Sequence, residues 1–358
     1  MSKVALVAIT KHGIEIARKI KAKTPEFHIY VPQKFSDGKD DINWYSDPSP
    51  LAIGKLFKSY DGLVCIFSLG AALRLVAPHL KDKKTDPAVV VIDDKAKFVI
   101  SALSGHLGGA NALARLIASV LNATPVITTA SDVNETIAVD LLGREFGWLT
   151  DDDHNVTKVS ACMVNEEKIG IYQDSGERNW WFVDRPLPTN VQIFNNLDEL
   201  SGSDCKASLI ITNKLLDEKF EMLLQKSVVY RPKSLVVGLG LHWDTKKDEI
   251  IQGIQTTLKD AGLSFKSVKN IATINREAVV TGLQEFSNEY KIPVEYFDKN
   301  QLSKIDVPNP SDTVRKFEGT PSVSEASAMS SAKNNTLLIQ KRKFPPNLTV
   351  AVSEVKVS

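Results

Sequence analysis

A chain of 358 residues exceeds what one small core supports, so two or three domains are expected. Its 43% hydrophobic and 24% charged residues are ordinary for a folded soluble protein, and a formal net charge of +1 argues against nucleic-acid binding by bulk electrostatics. The cysteines Cys65, Cys162 and Cys205 are scattered with no C-x-x-C pair, which speaks against a disulfide framework or a structural zinc site. No apolar run reaches the ~18 residues of a membrane span, and the chain enters a strand-like segment, Val4 to Ile9, without signal-peptide architecture. A cytoplasmic location is therefore expected, with neither membrane nor nucleic acid as a partner.

Over residues 1–147, short apolar runs alternate with amphipathic segments, the pattern of βαβ units. Strands are predicted at 3–9, 26–31, 62–67, 88–93 and 124–128, and helices at 13–23, 50–58, 69–77, 107–121 and 134–146. The unbroken apolar runs Leu63 to Phe67 and Val89 to Ile92 read as buried parallel strands. Ligands of such sheets bind beyond the C-terminal strand ends. Loops 10–13, 68–70 and 128–134 are thus expected on one rim, with the 101–111 turn beside them.

Residues 148–231 combine short strands with frequent polar turns and read as a small α+β segment. A second α/β pattern opens at Ser234-Leu235-Val236-Val237-Gly238-Leu239-Gly240 and enters a helix at 246–261. Asp244, or Thr245 with Asp248 at capping-box spacing, is placed to start that helix. The third glycine of a dinucleotide fingerprint is missing, so no nicotinamide or flavin is expected. The runs 336–340 and 348–352 close the chain as a hairpin. The fold class is α/β: two three-layer α/β/α domains, 1–147 and 232–358, joined by a small α+β middle domain at 148–231.

The stretch richest in chemistry is Ser104-Gly105-His106-Leu107-Gly108-Gly109-Ala110-Asn111, a glycine turn entering a helix. Such a turn presents bare N–H groups and the positive end of the helix dipole, which suits an anion. His106 adds a side chain suited to proton transfer near neutral pH. The same run also fits a tight structural turn whose histidine bonds locally, and the residues alone leave both readings open.

Three further blocks stand in order with this one: Asp82-Lys83-Lys84-Thr85-Asp86-Pro87-Ala88-Val89, Pro125-Val126-Ile127-Thr128-Thr129-Ala130-Ser131-Asp132 and Gly319-Thr320-Pro321-Ser322-Val323-Ser324-Glu325-Ala326. Together the four closely resemble the CbiG family, the cobalt-precorrin-5A hydrolases of the anaerobic, early-cobalt route to vitamin B12. The C-terminal part also resembles CobE, a small protein of the aerobic pathway. One loop departs from the pattern. Where the family commonly has a Gly-Ile-Gly-Cys-Arg-Arg-Gly-like run, this chain has Gly238-Leu239-Gly240-Leu241-His242-Trp243-Asp244. The resemblance therefore carries no catalytic cysteine or arginine pair onto this loop, where His242 is the one candidate stand-in.

The resemblance implies hydrolytic opening of a δ-lactone on a cobalt-bearing macrocycle, with loss of a two-carbon fragment as acetaldehyde to give cobalt-precorrin-5B. Such chemistry needs a base for water, donors for an oxyanion and a proton source for the ring carbon. His106 is the first candidate for acid or base, with Asp86 to orient it and Glu325 as a secondary candidate. Asp86 has a local turn cap as its alternative, and Glu325, three residues after Ser322, a capping box. Arg74, Lys83 and Lys84 are candidates for the substrate's carboxylates. Gly105, Gly108, Gly109, Asn111, Thr128, Thr129, Asp132 and Ser322 complete the substrate-binding set. No metal site or cofactor of the protein's own is implied, because cobalt arrives with the substrate. The implied partners are the cobalt-precorrin, other pathway enzymes such as precorrin methyltransferases, and a second copy in a homodimer. A carrier that binds the same intermediate without catalysis is the competing reading.

Overall fold

The computed structural model describes residues 3–38, 41–82, 85–181, 186–276 and 279–356. The chain divides into two units, Met1–Leu141 and Leu142–Ser358. The first unit runs β1 (Val4–Ala8), α1 (Lys11–Lys21), β2 (His28–Pro32), β3 (Ile42–Tyr45), α2 (Ser49–Ser59), β4 (Gly62–Ile66), α3 (Leu69–Val76), β5 (Ala88–Ile92), β6 (Phe98–Leu103), α4 (Ala110–Leu121), β7 (Thr124–Val126) and α5 (Ala130–Val133). Alternation along β1 explains the layering. Val4, Leu6 and Ala8 enter a core with Ile20 of α1 and Ile117 of α4, whereas Ala5 and Val7 enter another with Phe57 of α2 and Val76 of α3. Helices thus cover both faces, which is why β4 and β5 are apolar throughout.

The sheet order is β3-β2-β1-β4-β5-β6-β7. Strands β3 to β5 are parallel, β6 is antiparallel to β5, and β7 is parallel to β6. The reversal before β6 is built by Asp93, whose Oδ1 accepts from Phe98 N at 2.6 Å and whose Oδ2 accepts from Lys95 N at 3.1 Å. Because Leu103 pairs with Val89 and Val99 with Ile92, β6 ends where β5 begins. The 104–111 turn and the segment after β7 therefore lie on the rim opposite the C-terminal ends of β1, β4 and β5. This corrects the placement of all four loops on one rim. The helix expected at 134–146 is also replaced: α5 is followed by turns and one 3-10 turn at Arg144–Phe146. Glu135 and Gly143 hold positive φ of 50° and 72°, which no α-helix accommodates.

The second unit opens with β8 (Leu149–Thr150), α6 (Val156–Val164), β9 (Ile169–Gln173), β10 (Val191–Phe194), α7 (Leu197–Ser201), β11 (Ala207–Ile211), α8 (Glu221–Leu224) and β12 (Ser227–Arg231). Their order is β10-β9-β11-β12-β8, and only the pair β12 and β8 is antiparallel. An alternating α/β arrangement thus stands where segregated α+β elements were expected. Its helices α7 and α8 span only five and four residues, too short to show helical periodicity in the sequence.

The chain continues through β13 (Leu235–Leu241), α9 (Lys247–Asp260), β14 (Val268–Ile274), α10 (Thr281–Tyr290), β15 (Val294–Phe297), α11 (Lys299–Leu302), α12 (Asp312–Glu318), α13 (Val323–Ala332), β16 (Ile339–Phe344) and β17 (Leu348–Glu354). The order is β15-β14-β13-β17-β16, with the expected closing hairpin in β16 and β17. Leu235, Val237 and Leu239 pack with Ile254 of α9 and Phe286 of α10, and Val236 packs on the other face with Ala332 of α13, giving three layers. Helix α9 starts at Lys246, whose N–H donates to Glu249 Oε2 at 2.8 Å, so neither Asp244 nor Thr245 is its cap. Among the described residues no helix is long and apolar enough to cross a membrane.

Candidate functional site

The glycine turn is folded by its own backbone. Gly109 N donates to His106 O at 2.8 Å, Ala110 N to Ser104 O at 3.1 Å and Asn111 N to Gly105 O at 3.0 Å. The Gly109 and Ala110 donors expected to face an anion are thus engaged within the turn itself. The glycines serve close approach instead. A Cβ on Gly105 would stand 2.8 Å from Asn111 Oδ1, and one on Gly108 2.3 Å from Ser104 Cβ. Gly109, at φ 85°, closes the turn as the N-cap of α4.

This tightness presses His106 against the chain that follows β7. Its Nδ1 lies 3.1 Å from Asp140 Oδ1, and its Nε2 lies 3.0 Å from Asp132 Oδ2 and 2.8 Å from Ser131 Oγ. Asn111, 4% exposed, holds the frame. Its Oδ1 accepts from Ser101 Oγ at 2.7 Å, and its Nδ2 donates to Thr129 Oγ1 at 2.9 Å and Asp132 Oδ2 at 2.8 Å. Arg115 donates to Asp132 Oδ1 at 2.5 Å. The site thus joins the end of β6, the first turn of α4 and the 129–140 segment.

The electrostatics follow from this geometry. The Asp140 carboxylate, hydrogen-bonded to Nδ1, raises the His106 pKa above its ordinary value; burial opposes the shift and Asp132 adds to it. Burial pushes Asp132 upward, but Arg115 and then His106 hold its carboxyl below the usual range. Both imidazole nitrogens have anionic acceptors, so the charged ring is favoured. Ser131, His106 and Asp140 also stand in the order hydroxyl, imidazole, carboxylate. The second carboxylate at Nε2 tips this set toward giving a proton rather than taking one from Ser131. Among the described residues no group of three or more His, Cys, Asp or Glu is arranged to hold a metal ion.

Of the residues expected at the site, His106, Asn111, Thr129 and Asp132 are brought together, with Gly105, Gly108 and Gly109 shaping the turn. Thr128 is exposed beside them. Asp86 is not the partner of His106: its carboxylate accepts from Lys81 N at 2.9 and 3.2 Å, a local turn cap. Arg74 is exposed on α3, reaching back to Gly70 O at 3.4 Å. Lys83 and Lys84 lie outside the described residues. Glu325 is fully buried in α13 and accepts from Asn309 Nδ2, Asn309 N and Lys341 N at 2.8, 3.2 and 3.1 Å. It therefore ties loop, helix and strand together, and makes no capping box with Ser322, whose hydroxyl is buried without a partner among the described residues.

Sequence reasoning missed Asp140, Ser131, Arg115 and Ser101. Asp140 had a signal, a carboxylate inside the apolar run Ile137-Ala138-Val139-Asp140-Leu141-Leu142. Ser101 was hidden because β6 was not expected as a strand. The Cys65 thiol is inert: it is fully buried, and burial pushes its pKa up to about 12.

Comparison with known proteins gives this site a family. Residues 52–132 match the family model "Cobalamin synthesis G N-terminal", 137–232 match "Cobalamin biosynthesis central region" and 235–353 match "Cobalamin synthesis G C-terminus". The cobalt-precorrin-5A hydrolase of Priestia megaterium is 44% identical over 352 residues, covering 98% of this chain and 94% of that protein. The protein of the same name from Salmonella typhimurium is 28% identical over 352 residues, covering 98% and 97%. In the C-terminal part, CobE of Sinorhizobium sp is 25% identical over 121 residues, 33% of this chain and 79% of that one. The chain belongs to the CbiG family of cobalamin synthesis proteins.

Proposed function

We propose that this protein is a cobalt-precorrin-5A hydrolase, opening the δ-lactone of its substrate and releasing acetaldehyde to leave cobalt-precorrin-5B. The observation that carries the reading is His106 clamped between Asp140 and Asp132 in a chain 44% identical to the Priestia hydrolase. Water adds to the lactone carbonyl and releases a proton to bulk solvent, which restores the His106 imidazolium at the end of the cycle. The ring oxygen leaves as an alkoxide that takes a proton from His106 Nε2. The neutral imidazole, still held by Asp140, then recovers that proton from the new hydroxyl as the carbon–carbon bond breaks. The bonding pair passes to the macrocycle carbon, which is protonated in turn, and acetaldehyde departs. Acid–base work of this kind contributes ~100- to 10,000-fold in rate. The reading requires no resident cofactor, the cobalt being part of the substrate.

The reading extends to a cytoplasmic setting, a homodimer, and handover of product to a precorrin methyltransferase. It also places folding boundaries near 147 and 231, which limited proteolysis tests. Incubation of cobalt-precorrin-5A with the full chain should release acetaldehyde well above the uncatalysed rate. Tight binding with no acceleration would overturn the reading in favour of a carrier.

A further inference from the structure

We propose that His242 is an axial ligand for the cobalt of a corrinoid held on the rim of the C-terminal sheet; the proposal rests on the hydrolase reading for the identity of its ligand. His242 opens the loop between β13 and α9, where the parallel strands β13, β14 and β15 all end, the favoured ligand position in an open sheet. Its Nδ1 lies 2.5 Å from Asp244 Oδ1, with the two side chains 53% and 47% exposed. Nε2, on the other side of the ring, has no hydrogen-bond partner among the described residues. A carboxylate fixing one imidazole nitrogen while the other carries a free lone pair is the arrangement ligating histidines use.

The surroundings suit a broad, flat, partly apolar ligand. Trp243, tilted against the His242 ring at 5.6 Å, is 67% exposed, and Val279 and Tyr296 are 69% and 54% exposed. Trp243 and Val279 wall a cavity of about 550 Å³ whose remaining lining is largely charged, including Asp244, Lys246, Lys247 and Glu285, and Val279 also borders a second of about 310 Å³ with Tyr296 and Arg276. Exposed large apolar side chains around a cavity mark a binding surface. The donor count narrows the ligand. A free metal ion needs several protein ligands, and no group of three or more is arranged for one among the described residues. A metal already chelated by its macrocycle needs only one.

The test is EPR spectroscopy of cobalt(II) cobyrinic acid, a corrin polycarboxylate without a nucleotide base, titrated into the full chain. The wild type should show superhyperfine splitting from one axial nitrogen. His242→Ala should lose the splitting and bind ~10-fold more weakly or worse, Asp244→Ala should weaken binding by about tenfold, and His106→Ala should keep the splitting. Absence of binding by the wild type, binding without nitrogen coordination, or splitting that survives His242→Ala would each overturn the proposal. Acetaldehyde release by the wild type, measured alongside, separates the two readings. Release without splitting removes the ligation alone, and splitting without release removes the hydrolase reading alone.

Discussion

Replacing Asn111 with alanine should unfasten the site from its frame, and the cost can be worked from the bonds it makes. Asn111 loses one bond to the ionised Asp132 and one each to the hydroxyls of Ser101 and Thr129. A bond to a charged group is worth ~1.5–3 kcal/mol and a neutral one ~1 kcal/mol, so the sum is about 3.5–5 kcal/mol. Asp132 is 19% exposed and recovers part of this from water, which brings the expectation to about 3 kcal/mol. A protein with several sheets has no single meaningful unfolding midpoint, so the measurement must be local. Hydrogen exchange read by mass spectrometry on peptides from β6 and α4 meets that need. Protection there should fall about 100-fold, at 1.4 kcal/mol per factor of ten. Protection within about threefold of the wild type, under 1 kcal/mol, would show that Asn111 does not carry these bonds and would refute the frame described for His106.

The His106 pKa, raised chiefly by the Asp140 hydrogen bond, has a stated sign for stability. The proton binds the folded state more tightly, so the stabilisation is fully present below the ordinary value of about 6.5 and is lost as pH rises through the folded value. Hydrogen exchange of β6 and α4 peptides in wild type and His106→Gln across this range, corrected for intrinsic exchange, should show a protection gap that closes on the alkaline side; a constant gap would contradict the clamp. The acetaldehyde-forming rate should likewise fall as pH rises through the folded value, and Asp140→Asn should move that fall to lower pH. Glu325→Gln forces an amide N–H toward the donors Asn309 and Lys341. It should lower the stability of the C-terminal sheet by ~1–3 kcal/mol by local exchange while leaving the rate at saturating substrate unchanged. A collapse in rate with stability intact would restore Glu325 to the reacting centre.

The α/β character and most strands of the first and third sheets were legible in the sequence because buried parallel strands write themselves as unbroken apolar runs. Val89 to Ile92 and Leu63 to Ile66 both do so. β6 was not legible, since Phe98 is 47% exposed and residues 100–103 are only partly buried. The turn signal that precedes it, Asp93-Asp94-Lys95-Ala96-Lys97, is what reverses the sheet and moves His106 to the other rim. His106, Asn111 and Asp132 were visible as polar residues in glycine- and threonine-rich loops. Asp140 carried a signal as a carboxylate in an apolar run, but the helix expected over 134–146 gave it no tie to His106. Contacts between residues 34 positions apart, as between His106 and Asp140, are set by the reversal of β6 rather than by any local pattern.

The most direct test of the account is single-turnover hydrolysis of cobalt-precorrin-5A by wild type and His106→Ala, following acetaldehyde and macrocycle together. Loss of the proton donor should slow lactone opening by ~100- to 10,000-fold while the variant still binds the substrate and keeps wild-type exchange in the unit 142–358. A His106→Ala protein that opens the lactone at the wild-type rate would contradict the assignment of the reacting centre to the β6–α4 turn.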